Sequence, residues 1–172
     1  VGGLEKFKHV DKKTPTSFKK GVRGGAGKTT VFGMLERGGE IRATVVKSES
    51  ENQVEPLIVK NVEQVSKLLT DAHGAYKTVA SRNPYEHESV EHMAKEYVRG
   101  EVHTNGLENF WTLFKRSVKG TYTQVAPFHV DRYLDEQVFR YNNRKTSDYD
   151  RFEQAVSQMF DRKLTYATLT GK

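Results

Sequence analysis

Two stretches of this sequence carry residue types and spacings that could do chemistry on a phosphate. In SKLLTDAHGAY, Asp71 follows the apolar run Leu68-Leu69 and precedes small residues. A carboxylate delivered at a strand end can hold a divalent cation, because Mg2+ takes one or two carboxylates and keeps several of its waters. The plainer reading of the same aspartate is a turn or helix-cap residue. In HTNGLENFWTLFKRSVKG, Asn105 and Glu108 stand three apart, and Glu108 and Lys115 stand seven apart. On a helix, seven residues are about two turns along one face. A metal-binding carboxylate with a cation two turns away can hold a nucleic-acid phosphate between them. The plainer reading here is two solvated charges, with Asn105 and Glu108 forming a capping box that needs no metal.

A third stretch, RGGAGKTT at Arg23 to Thr30, has the glycines and lysine of a phosphate-cradling loop. Val22 occupies the first glycine position of the G-x-x-x-x-G-K-T pattern, and β-rich TTVFGML follows where a helix should open. A basic glycine loop leading into a hairpin is the better reading, and a P-loop ATPase is the weakest alternative. Such an ATPase would be stabilised by nucleotide through Lys28. The six histidines are scattered without zinc-ligand spacing, and His103 is the one close to the Asn105 region.

These residues need elements to position them. TTVFGMLERGGEIRATVV reads as two strands around Arg37-Gly38-Gly39, an antiparallel hairpin. A short helix is expected within Gln53 to Val65, interrupted at its start by Pro56. A strand over Ser66 to Thr70 then delivers Asp71, and a helix follows around Ala75 to Val79. Arg82-Asn83-Pro84 is a breaker, with a further short strand in HESVEHM. The best-marked helix starts at Asn105 and places Leu107, Phe110, Trp111 and Phe114 on a buried stripe, closing at Lys119-Gly120. Two more helical patterns run from Phe128 to Tyr141 and from Tyr149 to Phe160, the last with Phe152, Val156, Met159 and Phe160 on one face. This order is that of an α/β fold, a mixed sheet covered by helices.

Composition narrows the classes. At 172 residues the chain suits one domain, and no apolar run approaches the roughly 20 residues of a membrane span. With no cysteine there is neither a disulfide framework nor a zinc ribbon, and no apolar segment follows the N-terminal lysines as in a signal peptide. A cytoplasmic location is the default expectation. The net charge of +6 sits within residues 1–28, where eight bases face two acids. That segment is either a solvated run or a contact for a polyanion, through bases such as Lys19, Lys20, Arg23 and Lys28.

Taken in order, TDAHGAY at Thr70 to Tyr76, HESVEHMAKEYVRGEVHTNGLENFWTLFKRSVKGTY at His87 to Tyr122, and HVDRYLDEQVFRYNNR at His129 to Arg144 resemble the insertion-sequence transposases of the ISXO-type branch of the DDE superfamily. The resemblance implies a ribonuclease-H-like mixed sheet flanked by helices. Two aspartates and a third residue would gather Mg2+ or Mn2+ for in-line attack on a DNA phosphodiester. By position, Asp71 matches the second aspartate. The third position falls on Asn105 or Glu108, Lys115 would contact DNA near the scissile phosphate, and Arg116 and Lys119 would extend that surface. The implied partners are insertion-sequence ends and target DNA, with a homodimer on paired ends, no membrane, and a bacterial cytoplasm as the setting.

The family's first aspartate lies in a motif like D-E-T-Y-V-G-G, and this sequence starts at its Val-Gly-Gly end. Asp11, in KHVDKK, does not match it. The expectation is therefore a catalytic domain over residues 1–145, incomplete at its N-terminus and lacking the first strand, with a helical tail of the same domain over 146–172. Such a truncated chain would be inactive alone. The alternative is a non-catalytic remnant that still binds DNA.

Overall fold

The computed structural model describes residues 28–71, 73–90, 104–122 and 125–170. Its central piece is the hairpin. Strand β1 (Thr30–Leu35) pairs antiparallel with β2 (Ile41–Val46), in a register from Thr30 opposite Val46 to Leu35 opposite Ile41. Gly38 supplies the positive φ of 73° that the turn requires, and the Glu36 N–H closes the loop onto the Glu40 carbonyl. Side chains alternate across a strand, so Val31, Leu35, Ile41, Ala43 and Val45 face one way while Phe32, Met34 and Val46 face the other. Each set enters a different core, which is why β1 is apolar almost throughout.

The first core forms against α3 (Asn105–Gly120) and α4 (Val130–Asn142), the latter entered through a 3-10 turn at Pro127–His129. Phe110, Phe114 and Val118 repeat every four residues and are buried with Val130 and Leu134. Close packing here depends on Gly33, where an added β-carbon would lie 2.6 Å from the Trp111 ring. The end of α4 is fastened to the hairpin by the Asn142 amide, which accepts from the Ile41 N–H at 2.8 Å and donates to the Ile41 carbonyl at 3.0 Å.

The second core gathers Phe32 with Val54 and Ile58 of α1 (Glu51–Asn61) and Val79 of α2 (Gly74–Arg82). Arg82 reaches Glu51 and Glu55 on α1, and the Asn83 amide donates to Glu55. Strand β3 (Lys67–Asp71) runs parallel to β4 (Glu86–Val90), with Leu68 against the same cluster.

The α/β order of elements agrees with the sequence, while several local details differ. Among the described residues the four strands form two separate ladders, one antiparallel and one parallel, in place of one mixed sheet. Helix α1 starts at Glu51 and carries Pro56 inside it. Pro56 is the sixth of the eleven residues of α1, where its missing N–H removes one backbone bond from the helix interior. The N-cap of α3 is Thr104, and Asn105 is already helical. No capping box forms there, because the Thr104 hydroxyl donates to the Glu108 carboxylate at 2.9 Å. Residues after Lys28 enter β1 and open no helix, which contradicts the P-loop ATPase alternative. Beyond α4 come α5 (Asp148–Ser157) and a short α6 (Tyr166–Thr170). Among the described residues no helix is long and apolar enough to cross a membrane.

Candidate functional site

Asp71 is the last residue of β3, at the C-terminal end of the parallel pair. Ligand sites in parallel α/β arrangements form at that end, because the chain turns away there and leaves a crevice. The Asp71 side chain is exposed, and its Oδ1 accepts the His73 N–H at 3.3 Å. His73 is the N-cap of α2: its backbone is extended and its Nδ1 accepts the Ala75 N–H at 3.4 Å. An accepting Nδ1 puts the proton of a neutral imidazole on Nε2, which lies 3.9 Å from Glu49 Oε2. Strand end, turn and cap thus hold Asp71 and His73 in a fixed relation.

Beside them is a groove of about 140 Å3, with Phe32, Val46 and Val54 as apolar walls and Asp71, Glu49, His73, Thr30 and Tyr76 as polar ones. Tyr76 rises from the first turn of α2 and stands edge-on to His73, with ring centroids 5.9 Å apart. Burial above all, together with the Asp71 and Glu49 charges, pushes the Tyr76 phenol up to about 12. It is therefore a neutral O–H donor across the working pH range. The donor set of Asp71 and Glu49 is all carboxylate oxygen, which suits a hard, water-rich cation such as Mg2+ or Mn2+. Among the described residues no three His, Asp or Glu side chains converge to enclose a metal by themselves.

The α3 candidates occupy a different place. Asn105, Glu108, Lys115, Arg116 and Lys119 are all exposed on that helix. Glu108 and Lys115 are separated by about 10 Å along the axis, at 1.5 Å per residue. The start of α3 is seated at the Leu35 end of β1, where an added β-carbon on Gly106 would lie 2.7 Å from Leu35 Cδ2. The Asp71 groove instead borders Thr30, Val31 and Phe32. The two sites therefore lie toward opposite ends of a strand about 17 Å long, at 3.3 Å per residue. Lys28 is exposed two residues before Thr30, on the groove side of the hairpin. Lys19, Lys20, Arg23 and His103 lie outside the described residues.

The neighbours that the structure gives Asp71 are thus Glu49, His73 and Tyr76. The spacing TDAHGAY holds the signal for two of them, since a residue two past a strand end can cap the next helix and one three later falls in its first turn. Glu49 has no local signal, because it arrives from the loop between β2 and α1.

Comparison with known proteins adds the following. The ISXO2-like transposase domain matches residues 1–142. A protein of Halobacterium salinarum described as an uncharacterized protein in transposable element ISH50 is 30% identical over 90 residues. That stretch is 52% of this chain and 31% of the relative, so the chain spans about a third of the relative's length. No solved structure matches the chain.

Proposed function

The chain belongs to the ISXO2-like transposase domain family, and from that premise we propose that it cuts and joins insertion-sequence DNA with Asp71 as a metal-binding catalytic carboxylate. The observation that carries this reading is the exposed Asp71 side chain at the end of β3, held by His73 at the mouth of a groove that Glu49 and Tyr76 also line. Asp71 and Glu49 would hold Mg2+ or Mn2+ there. When bound, such an ion neutralises charge on a phosphodiester and lowers the pKa of an attacking water or 3′-hydroxyl. The Tyr76 hydroxyl, neutral at working pH, donates to a phosphate oxygen. The His73 backbone N–H keeps Asp71 in one orientation as DNA approaches. Lys28 attracts phosphates to the groove side of the hairpin, Lys19, Lys20 and Arg23 add positive charge in the sequence before it, and Lys115, Arg116 and Lys119 form a second cationic stripe on α3. Asn105 and Glu108 stand toward the other end of β1 from this groove, and the cation is assigned to Asp71 and Glu49 without them.

Mn2+ titration followed by electron paramagnetic resonance tests this. Asp71→Asn should weaken Mn2+ binding at least tenfold with an unchanged circular dichroism spectrum, since the side chain is exposed. Equal Mn2+ affinity in the variant would overturn the assignment. Asn105→Ala and Glu108→Ala, measured alongside, should leave Mn2+ affinity at the groove unchanged, since both residues stand away from it. Fluorescence anisotropy with a duplex should show affinity falling with salt, with a slope reduced by about one for each phosphate-contacting lysine replaced.

A further inference from the structure

The C-terminal end of the chain is well formed locally and yet contributes nothing to either core. No residue of α5 or α6 is buried. Helix α5 has a full capping box between Ser147 and Asp150, an Arg151–Asp148 ion pair, and a Tyr149 hydroxyl that donates to Glu153 at 2.7 Å. The Arg132 guanidinium of α4 donates to the Thr168 carbonyl, which ties α6 back to the domain. What this scaffold presents outward is apolar. Tyr149, Phe152 and Val156 follow one helical face, and Met159, Phe160 and Leu164 continue beyond it. Phe152 is 66% exposed, Met159 70% and Phe160 72%.

A single exposed apolar residue needs no explanation, whereas a contiguous patch above a few hundred Å2 marks an interaction site. Aromatic side chains present about 200 Å2 each. With roughly two-thirds of each exposed, Tyr149, Phe152, Met159, Phe160 and Leu164 offer on the order of 650 Å2, near the low end of what one partner contributes to a stable interface. The family domain matches only as far as residue 142, so this surface lies beyond it.

Charge selects the occupant. Asp148, Asp150 and Glu153 flank Tyr149 and Phe152 at the start of the stripe with Arg151 among them, while Arg162 and Lys163 stand at its far end with Asp161 beside them. One end is therefore acidic and the other basic. A second copy laid antiparallel across a two-fold axis sets each acidic end against the partner's basic end, which is the self-complementarity of an isologous interface. We propose that residues 148–169 form a self-association surface, in which the Phe152–Phe160 stripe of one chain packs against that of a second copy running antiparallel.

Sedimentation velocity of the DNA-free protein between about 1 and 100 µM tests it independently of any role for Asp71. The wild-type chain should dimerise, and Phe152→Glu or Phe160→Glu should raise the dissociation constant at least a hundredfold while leaving the melting temperature of the monomer unchanged. Glu153→Lys should weaken the dimer about tenfold, and adding Arg162→Glu with Lys163→Glu should restore it. A wild-type monomer at 100 µM would overturn the proposal. So would a Phe152→Glu chain that dimerises normally or that loses its fold, because the stripe would then be covered elsewhere or from within. Failure of the charge exchange to restore the dimer would overturn the antiparallel arrangement.

Discussion

Replacing Asn142 with alanine tests how α4 is fixed to the hairpin. In the native chain the Asn142 amide makes two bonds to Ile41, one in each direction, across 101 residues of sequence. It behaves like a peptide group added to the outer edge of β2, satisfying a backbone N–H and carbonyl whose own side chain is fully buried. Each such bond contributes about 1 kcal/mol net, and a part-buried N–H left without an acceptor adds about 1 kcal/mol more. Asn142→Ala should therefore cost about 2–3 kcal/mol, or a fall of about 5–10 °C in Tm at 2–4 °C per kcal/mol for a chain of this size. The assay is urea unfolding followed by the single tryptophan, Trp111, which packs against the same core. The m-value should not change, since no new surface is exposed. Asn142→Asp sharpens the test: its carboxylate still accepts from the Ile41 N–H but faces the Ile41 carbonyl with like charge. That variant should be less stable than wild type at pH 7 and should recover as the pH falls and the carboxyl regains a donor hydrogen. A loss below about 0.5 kcal/mol in Asn142→Ala would refute the edge-capping role.

Two further outcomes follow from the packing and the titrating groups. Gly33→Ala places a β-carbon 2.6 Å from the Trp111 ring, which Phe110 and Phe114 hemmed in at 5.0 and 6.5 Å cannot readily release. Overpacking of this kind costs about 1–3 kcal/mol, and Trp111→Leu in the same chain should remove most of that increment, giving a non-additive double-mutant cycle in urea unfolding. His87 sits 2.8 Å from the Thr70 hydroxyl, and burial, followed by the Lys77 charge, lowers its pKa in the folded chain. The unfolded chain therefore takes up the proton first, so this contribution to stability is present above pH 6.5 and is lost as the pH falls below it. His87→Gln should flatten the stability profile between pH 7 and 5, measured as urea midpoints.

The features legible in the sequence are those that local periodicity writes. The β1–β2 hairpin follows from two β-rich runs about Gly38, and α3 follows from the spacing of Phe110, Trp111 and Phe114. The strand that ends on Asp71 follows from an apolar run stopped by small residues. At the other end of the chain the same periodicity marked the helix α5 and its apolar face, but not what that face packs against. The stripe of Phe152, Val156, Met159 and Phe160 has core spacing, yet it faces outward, because amphipathic spacing says that a face will be covered and not by what. The capping pattern at Asn105 failed for a related reason: a Thr one residue earlier competes for the Glu108 carboxylate, and composition alone cannot rank the two.

What the sequence by itself determined about this protein is its family and its chemical vocabulary: Asp71 at a strand end, two candidate residues at the start of α3, and a basic N-terminal segment. Those rest on the order and spacing of residues along one chain. Only the tertiary structure decided which side chains become neighbours. It set Glu49 and Tyr76 beside Asp71, put the start of α3 toward the other end of β1, and joined Asn142 to Ile41. Each of these meetings joins segments whose closeness comes from burying Phe32, Phe110 and their partners in two cores, a collective gain that no local pattern records.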